Sequence, residues 1–583
     1  MNGYKNDYHL ERKFQEHENL REMLRSSAEK YADKTAFVTK IRDADREVHY
    51  IDTTYKELFD EMNWLGTGLL SLGFGGSRIA LIGENSYKWI LTYFAVACGV
   101  GITVPLDKLL QRDELVGMLQ RSEATAIFCD KKHYKMVQEI VASGETKVTI
   151  VVGLDFIPKE GLSILDLLDA GQQLIKEGDR RYLDAPIDRD AMSFLLFTSG
   201  TTQSSKAVML SHRNLMSVNY YMNCEELFFP DDVNMLLLPL HHIYGMGGVL
   251  IFLSQGIKNV FCDGLKYITI NMKEYKVSVM MAVPLLLEKM YKKIDKAIDK
   301  QGMRSKVNTA LKVCAASEKV GIYLRRRMFK SIIDQLGGHL RFITNGAAPL
   351  DPVVAQGFND FGILVVNGYG LTETSPTIAS ESYRHLRAGT CGKLMPHVEA
   401  RIDEPDESGI GELVVRGDNV MLGYYGDPEA TAAVLEPDGW FHTGDLAYFD
   451  EDGYIWITGR KKNVIVLKSG KNVFPEEIEN LVNNLPYLEE SMVFGRMRGG
   501  EFTLWVKAVV DKEYMKEENV TMADLEARFE KDLAAINASM PSYKTINHWF
   551  LSERPTIKTT TQKTKRNMEM IEIDNELEER GLV

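Results

Sequence analysis

The sequence predicts a large α/β domain in which helices cover mostly parallel sheets, followed by a small α+β domain. Three observations support this fold class. From about residue 20 to residue 380, short apolar stretches alternate with helical patterns, as in parallel sheets whose strands are joined by helices. After about residue 395, hairpin-like stretches turn on Asp and Gly residues. Beyond Gly459, a short mixed unit of strands and helices follows.

The alternating region begins with an amphipathic helix over Leu20–Asp33, and its strands end in polar loops. The predicted strands are Ser77–Gly83, Ser193–Gly200, Val233–Leu240, Val277–Pro284, Leu340–Gly346 and Ile363–Val366. A helix is predicted over Asp351–Gly362, with Asp351 as its N-cap and Pro352 in its first turn. Because ligands bind beyond the carboxyl ends of parallel strands, the loops there are the candidate site.

One uncharged stretch, Trp89–Leu106, is long enough to raise the question of a membrane-spanning helix. Gly99 and Gly101 interrupt it, and Pro105 ends it. We therefore predict a buried helix to about Cys98, a glycine turn and a short buried strand, and no transmembrane segment.

The C-terminal third is predicted to contain hairpins over Val398–Gly417 and Leu446–Arg460. A strand over Thr503–Val510 and a helix near Met522–Leu533 follow. The acidic tail from Met568 is predicted to be a surface helix or a frayed end.

Length and composition limit the possible functions. With 583 residues, the chain is too long for one core and corresponds to roughly three to four domain-sized units. Its net charge of −13 argues against nucleic acid as a partner, because a phosphate backbone requires a basic face. Six scattered cysteines without a C-x-x-C pair argue against zinc, and together with a charged N-terminus they favour a cytoplasmic protein.

The stretch "TSGTTQSSKAV" over Thr198–Val208 is the first candidate for chemistry. Its hydroxyls, its backbone N–H groups and Lys206 could hold phosphate groups. It is not a P-loop, because G-x-x-x-x-G-K-S/T would require a Gly at Ser205 and a Ser or Thr at Ala207. A polar surface loop is an equally open interpretation of this stretch alone.

Two stretches after strands could hold the rest of a nucleotide. In "NGYGLTETSP", Tyr369 could stack on a base, Thr372 offers a hydroxyl for phosphate, and Glu373 offers a hard oxygen for Mg²⁺. The small residues of "TNGAAPL" (residues 344–350) would let a flat ring approach the backbone.

Two further stretches carry candidate binding groups, and the first of them suits a ribose. Asp445 in "GWFHTGDLAYF" could bind hydroxyls, and Arg460 lies at the end of a predicted strand. Taken alone, Asp445 would be explained as a turn residue and Arg460 as part of a solvated basic turn. Their joint presence, in this order, favours a nucleotide site.

This ordered set resembles the adenylate-forming superfamily of acyl- and aryl-CoA synthetases, amino-acid adenylation domains and luciferases. The resemblance runs from about Leu20 to Arg566 and is carried by the phosphate stretch, "LPLHHIYG", "NGAAPL", "NGYGLTET", "GWFHTGD" and "GRKKNVI". It implies an α/β N-terminal domain over residues 1–459, with a small β-barrel-like subdomain. It also implies a small mobile α+β domain over residues 460–583, with a hinge near Lys462.

The resemblance also implies roles for individual residues. The phosphates of ATP would be bound by Thr198, Ser199, Gly200, Thr201, Thr202 and Lys206. The adenine would be flanked by Gly346, Ala347, Ala348, Tyr369 and Gly370. The implied roles of the remaining residues are the α-phosphate contact for Thr372, Mg²⁺ binding for Glu373, ribose binding for Asp445 and Arg460, and catalysis for Lys206, His242, Glu373 and Lys563. The match is weaker at Lys563, because Gln562 replaces a glycine of the family's terminal pattern.

The resemblance implies ATP, Mg²⁺ and coenzyme A, and a carboxylic acid as the substrate. The stretch "LPLHHIYGMGGVLIFLSQG" has no carboxylate for an amino group, which favours an uncharged medium- or long-chain fatty acid. Its residues Gly245, Gly247 and Gly248 would either leave room for an acyl tunnel or serve helix packing.

Several alternatives remain open. The chain could be an acyl-AMP ligase that loads a separate acyl-carrier protein, or a non-catalytic relative that binds ATP or acyl-AMP, as the altered phosphate stretch suggests. Luciferase-like oxidation is a further alternative. Peripheral membrane association also stays open, although no basic amphipathic anchor stands out. The oligomeric state is not predicted.

Overall fold

The computed structural model describes residues 4–5, 14–42, 45, 47–198, 205–467, 471–498, 501–558 and 564–582. The chain divides into two compact units. The larger unit comprises Asn2–Ala400 and Val415–Phe441, and the smaller comprises Arg401–Val414 and His442–Val583 together with Met1. The boundary between residues 459 and 460 stays a prediction.

The strands of the described chain lie mostly in the larger unit. In chain order they are β1 (Tyr4–Lys5), β2 (Thr35–Arg42), β3 (Val48–Thr54), β4 (Ser77–Ile82), β5 (Gly101–Leu106), β6 (Ala126–Cys129), β7 (Ile150–Gly153), β8 (Leu162–Ser163), β9 (Met192–Phe197), β10 (Ala207–Ser211), β11 (Val233–Leu236), β12 (Lys258–Phe261), β13 (Val279–Ala282), β14 (Phe342–Asn345), β15 (Leu364–Tyr369), β16 (Ala379–Ser380), β17 (Lys393–Leu394), β18 (Glu399–Asp403), β19 (Gly411–Arg416), β20 (Gly423–Tyr424), β21 (Phe441–Phe449), β22 (Ile455–Arg460), β23 (Ile465–Val466), β24 (Asn472–Val473), β25 (Leu488–Arg498), β26 (Glu501–Val510) and β27 (His548–Ser552).

The α-helices of the described chain alternate with these strands. They are α1 (Leu20–Lys30), α2 (Tyr55–Ser71), α3 (Tyr87–Ala95), α4 (Arg112–Ser122), α5 (Lys131–Ser143), α6 (Ile164–Lys176), α7 (His212–Glu225), α8 (Ile243–Ser254), α9 (Ile268–Tyr275), α10 (Pro284–Lys300), α11 (Arg304–Glu318), α12 (Arg325–Met328), α13 (Lys330–Gln335), α14 (Pro352–Asp360), α15 (Pro428–Ala432), α16 (Pro475–Asn483), α17 (Lys512–Glu518), α18 (Met522–Ser539) and α19 (Arg566–Glu579). A π-helical turn lies at Val96–Val100, and 3₁₀ turns lie at Leu265–Tyr267, Thr372–Thr374, Lys461–Asn463 and Ser542–Lys544.

The larger unit contains two mixed sheets that are mostly parallel, as the sequence predicts. One has the order β3-β2-β12-β11-β13-β14-β15-β16-β17, and its pairs are parallel from β2 to β15. The other has the order β8-β7-β6-β4-β5-β9-β10-β20 and is parallel from β8 to β9. Their cores consist of strand residues such as Met280 and Ile343 in the first and Ile127 and Leu195 in the second, packed under helices.

The local signals at two predicted elements are confirmed. The Asp351 carboxylate accepts from the Val353 N–H at 2.8 Å, and Pro352 begins α14. The uncharged stretch at residues 89–106 forms most of α3, the π-helical turn and β5, with Gly99 at a φ of +139° in the turn. Among the described helices, none has both the length and the apolar character needed to cross a bilayer.

The smaller unit contains antiparallel strands and a small α+β layer. The predicted hairpin over residues 446–460 is confirmed by the pairing of β21 with β22. A three-stranded sheet of β25, β26 and β27 packs with α16 and α18 around Val493, Val506 and Phe529.

The tail forms a helix, α19, which agrees with the predicted surface helix rather than a frayed end, but this helix also has a buried face. Ile573 and Leu577, one turn apart, are fully buried. Buried Lys507 on β26 lies 2.8 Å from Glu569 Oε1 and 3.1 Å from Glu576 Oε2. A buried ammonium group requires carboxylate partners, so these two tail glutamates are inside the fold.

Candidate functional site

The structure describes the two ends of the predicted phosphate stretch. Strands β9 and β10 pair antiparallel, with Phe197 opposite Ala207. The Thr198 N–H donates to the Lys206 carbonyl at 2.9 Å, and the Lys206 N–H donates to Thr198 Oγ1 at 3.0 Å. Thr198 and Lys206 therefore face each other where the stretch begins and ends. The predicted ligands Ser199, Gly200, Thr201 and Thr202 lie outside the described residues.

Ser205 is held by two hydrogen bonds. Its hydroxyl donates to the Thr198 carbonyl at 2.7 Å, and Arg121 Nη2 donates to the Ser205 carbonyl at 2.6 Å. Ser205 is buried. A side-chain hydrogen bond thus restrains this residue without the fixed φ of proline.

Tyr424 brings Lys206 and Glu373 together. Lys206 Nζ lies 4.3 Å from the centroid of the Tyr424 ring, and the Tyr424 hydroxyl donates to Glu373 Oε1 at 3.0 Å. The Met421 N–H also donates to the Glu373 carbonyl at 2.8 Å. The arrangement places an ammonium group and a carboxylate around one buried aromatic ring. The sequence analysis missed Tyr424, whose only signal is its place in the short stretch "MLGYYGD".

The turn that carries Glu373 is tightly packed. Tyr369 is the last residue of β15, and Thr372 and Glu373 lie in a 3₁₀ turn immediately beyond it. A Cβ on Gly370 would lie 1.7 Å from the Pro376 carbonyl oxygen, so this position requires glycine. Thr372 and Glu373 are half-buried, which leaves them accessible to a ligand.

The segment Gly346–Ala348 lies at the same sheet edge as Tyr369, because β14 and β15 are parallel neighbours in register. A Cβ on Gly346 would lie 3.0 Å from Cζ of Tyr244, so the Tyr244 ring packs against this backbone. The Tyr244 hydroxyl donates to the Thr344 carbonyl at 3.1 Å. Ala347 has a φ of +75°, an uncommon conformation for a residue with a side chain.

His242 is the N-cap residue of α8, and its ring centroid lies 4.2 Å from that of His241. Burial, with Lys108 nearby, lowers the pKa of His241 to about 3, so His241 is neutral at physiological pH. His241 Nε2 lies 3.5 Å from Asp107 Oδ2. The catalytic role of His242 stays a prediction.

The glycines of α8 were predicted either to leave room for an acyl tunnel or to serve helix packing, and they do not all behave alike. A Cβ on Gly245 would lie 2.4 Å from the Pro239 carbonyl oxygen, and a Cβ on Gly248 would lie 1.9 Å from Met281 Sδ. These two positions serve close packing. At Gly247 the nearest atom, Cδ of Pro376, would be 3.5 Å from a Cβ, so packing does not demand glycine there.

In the smaller unit, Asp445 and Arg460 face each other across β21 and β22. Arg460 Nε lies 2.7 Å from Asp445 Oδ1, and the Asp445 side chain is buried. Thr443 Oγ1 accepts from the Asp445 N–H at 3.1 Å and donates to the Leu413 carbonyl at 2.7 Å. The predicted ribose-binding pair is thus preorganised as an ion pair.

Glu412, which the sequence analysis missed, supports this pair from the neighbouring strand. Its Oε1 accepts from the Gly444 N–H at 3.1 Å, and its Oε2 lies 2.8 Å from Lys461 Nζ. Burial alone would raise the pKa of Glu412, but Lys461 and His442 outweigh it and hold the pKa below its ordinary value. Lys462 is exposed in the following 3₁₀ turn, and its hinge role stays a prediction.

Lys563 lies outside the described residues. Lys558 and Thr564, which flank it in the chain, form an antiparallel bridge. Glu490 Oε2 lies 2.6 Å from Lys558 Nζ, and Arg566 Nη2 lies 2.5 Å from Glu479 Oε1. The residues on either side of Lys563 are therefore fixed to the core of the smaller unit, while its catalytic role stays a prediction.

Comparisons with known proteins match nearly the whole chain. The AMP-binding enzyme family matches residues 24–425, and the AMP-binding enzyme C-terminal domain matches residues 462–572. The chain is similar to a peroxisomal long chain acyl-CoA synthetase of Arabidopsis thaliana, with 28% identity over 84% of this chain and 73% of that protein. A chloroplastic long-chain-fatty-acid–acyl-carrier-protein ligase of the same organism is 27% identical over 82% of this chain and 74% of that protein.

A solved structure matches over nearly the whole chain as well. The ATP-bound MatB from Rhodopseudomonas palustris has a TM-score of 0.71 and 26% identity, covering 94% of this chain and 98% of that one. The predicted α/β fold with a small C-terminal domain is therefore confirmed.

Proposed function

Since this chain belongs to the AMP-binding enzyme family, we propose that it activates a fatty acid with ATP and transfers the acyl group to coenzyme A. The products would be acyl-CoA, AMP and pyrophosphate. Relatives named long chain acyl-CoA synthetase and long-chain-fatty-acid–CoA ligase support this reaction. The observation that carries the proposal is the grouping of Lys206, Tyr424 and Glu373 beside the ends of β9 and β15.

In the first step a carboxylate oxygen of the fatty acid attacks the α-phosphorus of ATP, and pyrophosphate leaves. Negative charge builds on the phosphoryl oxygens, so the reaction depends on positive charge that is already in position. Lys206 would supply part of that charge, and Thr198 would bind a phosphate through its hydroxyl. Thr372 beyond β15 would contact the α-phosphate, next to a base held by Tyr369 and the Gly346–Ala348 segment.

The residues around Glu373 fit a magnesium ion. A carboxylate and a hydroxyl at Glu373 and Thr372 are hard oxygen donors, and Tyr424 fixes one carboxylate oxygen by a hydrogen bond at 3.0 Å. Bound Mg²⁺ would neutralise phosphate charge. Glu373 and Thr372 would hold the ion, and Lys206, which lies over the Tyr424 ring, would bind a phosphate group.

In the second step the thiol of coenzyme A attacks the acyl carbonyl, a thioester forms, and AMP leaves. The two steps need different groups beside one carbonyl. We propose that Lys563 serves the first step and that the C-terminal domain then moves about Lys462. Asp445 and Arg460, already paired at 2.7 Å, would hold the ribose in both steps.

A second candidate acceptor is the thiol of an acyl-carrier protein. The similarity to an acyl-carrier-protein ligase over 82% of the chain favours testing this acceptor beside coenzyme A, for which the acyl-CoA synthetase relatives are named. Nothing in the described site residues distinguishes the two thiols, because both present the same phosphopantetheine arm.

The experiment is an end-point assay with ATP, Mg²⁺ and palmitate, with coenzyme A or holo acyl-carrier protein, whose phosphopantetheine thiol is free, added in parallel. We expect pyrophosphate and AMP in equal amounts, with acyl-CoA in the coenzyme A reaction. Hexanoate and benzoate in place of palmitate would define the acid. Nucleotide binding without any palmitate-dependent pyrophosphate would reject the proposal and favour a non-catalytic relative. Light emission with oxygen would favour luciferase-like chemistry.

A further inference from the structure

The segment 304–330, which contains α11, α12 and the turn between them, differs in charge from the rest of the chain. It has eight lysines and arginines and one acidic residue, whereas the whole chain has a net charge of −13. None of these residues belongs to the site described above. The segment therefore presents a positive region on an acidic protein.

Helix α11 has one buried face and exposed lysines outside that face. Val307, Leu311 and Cys314 pack against the core of the larger unit. Lys306 and Lys312 are exposed, and so is Lys319 just beyond the helix. Because seven residues are nearly two full turns, Lys312 and Lys319 lie on the same side of the helix, and Lys306 lies about 120° around the axis from Lys312.

The turn between α11 and α12, Lys319–Tyr323, displays apolar side chains to solvent. Val320 is 72% exposed, Ile322 is 53% exposed, and Tyr323 is 82% exposed. The turn is nevertheless an ordered structure, because the Ile322 N–H donates to the Ser317 carbonyl at 3.0 Å. Gly321 has the positive φ of +77° that the turn requires. Backbone hydrogen bonding thus holds the side chains of Val320, Ile322 and Tyr323 toward solvent.

Four exposed basic side chains of this segment are available to a partner. Arg325 is bound by Glu318 and Asp360, each at 2.6 Å, and so contributes little. By contrast, the described carboxylates form no ion pair with Lys306, Lys312, Lys319 or Arg327. All four side chains are exposed.

We propose that this docking surface, α11 together with the turn Lys319–Tyr323, binds a bilayer that contains anionic lipid. The lysines would attract phosphate headgroups within a Debye length. Val320 and Ile322 would enter the acyl boundary, and Tyr323 would lie at the headgroup level, where amphipathic aromatic residues are favoured. Aliphatic side chains at the tip suit lipid better than a nucleic acid, whose bases stack on aromatic rings.

The test is flotation of the full chain with vesicles of phosphatidylcholine alone or with about 30% phosphatidylglycerol. The phosphatidylglycerol gives the vesicles the negative charge that the basic docking surface requires. No nucleotide is needed, so the result is independent of the proposed reaction. One variant carries Val320→Ser, Ile322→Ser and Tyr323→Ser, and a second carries Lys312→Glu and Lys319→Glu. The matched control carries Ile157→Ser and Lys159→Glu, which replace an exposed isoleucine and an exposed lysine elsewhere in the larger unit.

We expect the wild type and the control to float with anionic vesicles and not with neutral ones. Both docking-surface variants should bind at least about tenfold less, because each removes one of the two contributions. Circular dichroism and pyrophosphate release with a short soluble acid should be unchanged in all variants. Equal binding to neutral vesicles, no binding by the wild type, or wild-type binding by the variants would overturn the proposal. Salt-sensitive binding of duplex DNA in place of vesicles would also overturn it.

Discussion

Removing one hydroxyl, by Tyr424→Phe, tests the grouping at the centre of the site. The wild-type hydroxyl donates to Glu373 Oε1 at 3.0 Å, and the ring lies 4.3 Å from Lys206 Nζ. Phenylalanine keeps the ring under Lys206 and deletes only the bond to Glu373. The carboxylate would then sample other rotamers and hold the magnesium–nucleotide less firmly.

The size of the effect follows from the bond that is lost. A hydrogen bond to a charged group contributes about 1.5–3 kcal/mol. Because Glu373 is half-buried and water can replace part of the bond, the lower end of that range applies. We expect kcat/KM for Mg²⁺-ATP to fall about tenfold, mostly through KM, since 1.4 kcal/mol is a factor of ten.

The assay is palmitate-dependent pyrophosphate release at varied Mg²⁺-ATP, with calorimetric binding of Mg²⁺-ATP as a second readout that does not depend on turnover. Tyr425→Phe is the matched control. Its hydroxyl bonds to Glu123 at 2.6 Å and lies in the same strand region without contacting Glu373. Equal KM and equal binding for the two single-hydroxyl variants would refute the reasoning about Tyr424.

Three further predictions concern the ends of the site and the fold. Lys563→Ala should abolish acyl-AMP formation but retain thioester formation from supplied acyl-AMP; equal loss of both half-reactions would remove Lys563 from its role. Ser205→Ala should raise KM for ATP about threefold because it deletes the 2.7 Å bond to the Thr198 carbonyl, and Ser205→Pro should restore it; a wild-type KM in the alanine variant would contradict this. Burial lowers the pKa of His212 to about 4 from an ordinary 6.5. His212 therefore binds a proton in the unfolded chain at pH values where it stays neutral in the folded chain. Its contribution to the free energy of unfolding is complete above pH 6.5 and should fall by up to about 3 kcal/mol toward pH 4. Urea titrations across that pH range give the free energy of unfolding of the wild type and of His212→Asn. This free energy should depend less steeply on pH in the variant, and an equal pH dependence of the two proteins would contradict the assignment.

Local patterns in the sequence were sufficient for several elements of the larger unit. The Asp351-Pro352 pair predicts a helix start because capping depends on neighbouring residues only. Short apolar runs predict β13, β14 and β15 because strands buried on both faces need no alternation. Strand ends then indicate where the site lies.

Long-range contacts are what the patterns could not supply. Tyr424 is separated from Glu373 by 51 positions, so only folding brings the two side chains together. The acidic tail has the composition of a solvated helix, but Glu569 and Glu576 are buried because they form ion pairs with Lys507 on a distant strand. The role of Gly248 was equally open, because its close neighbour Met281 lies on a different element, β13.

The transfer of labelled oxygen tests the proposed reaction most directly. A fatty acid with ¹⁸O in both carboxylate oxygens is incubated with ATP, Mg²⁺, coenzyme A and enzyme, and the products are analysed by mass spectrometry. Attack of the carboxylate on the α-phosphorus predicts one ¹⁸O in AMP and one in the thioester carbonyl. Label in pyrophosphate or inorganic phosphate, or unlabelled AMP beside newly formed acyl-CoA, would contradict an acyl-adenylate intermediate.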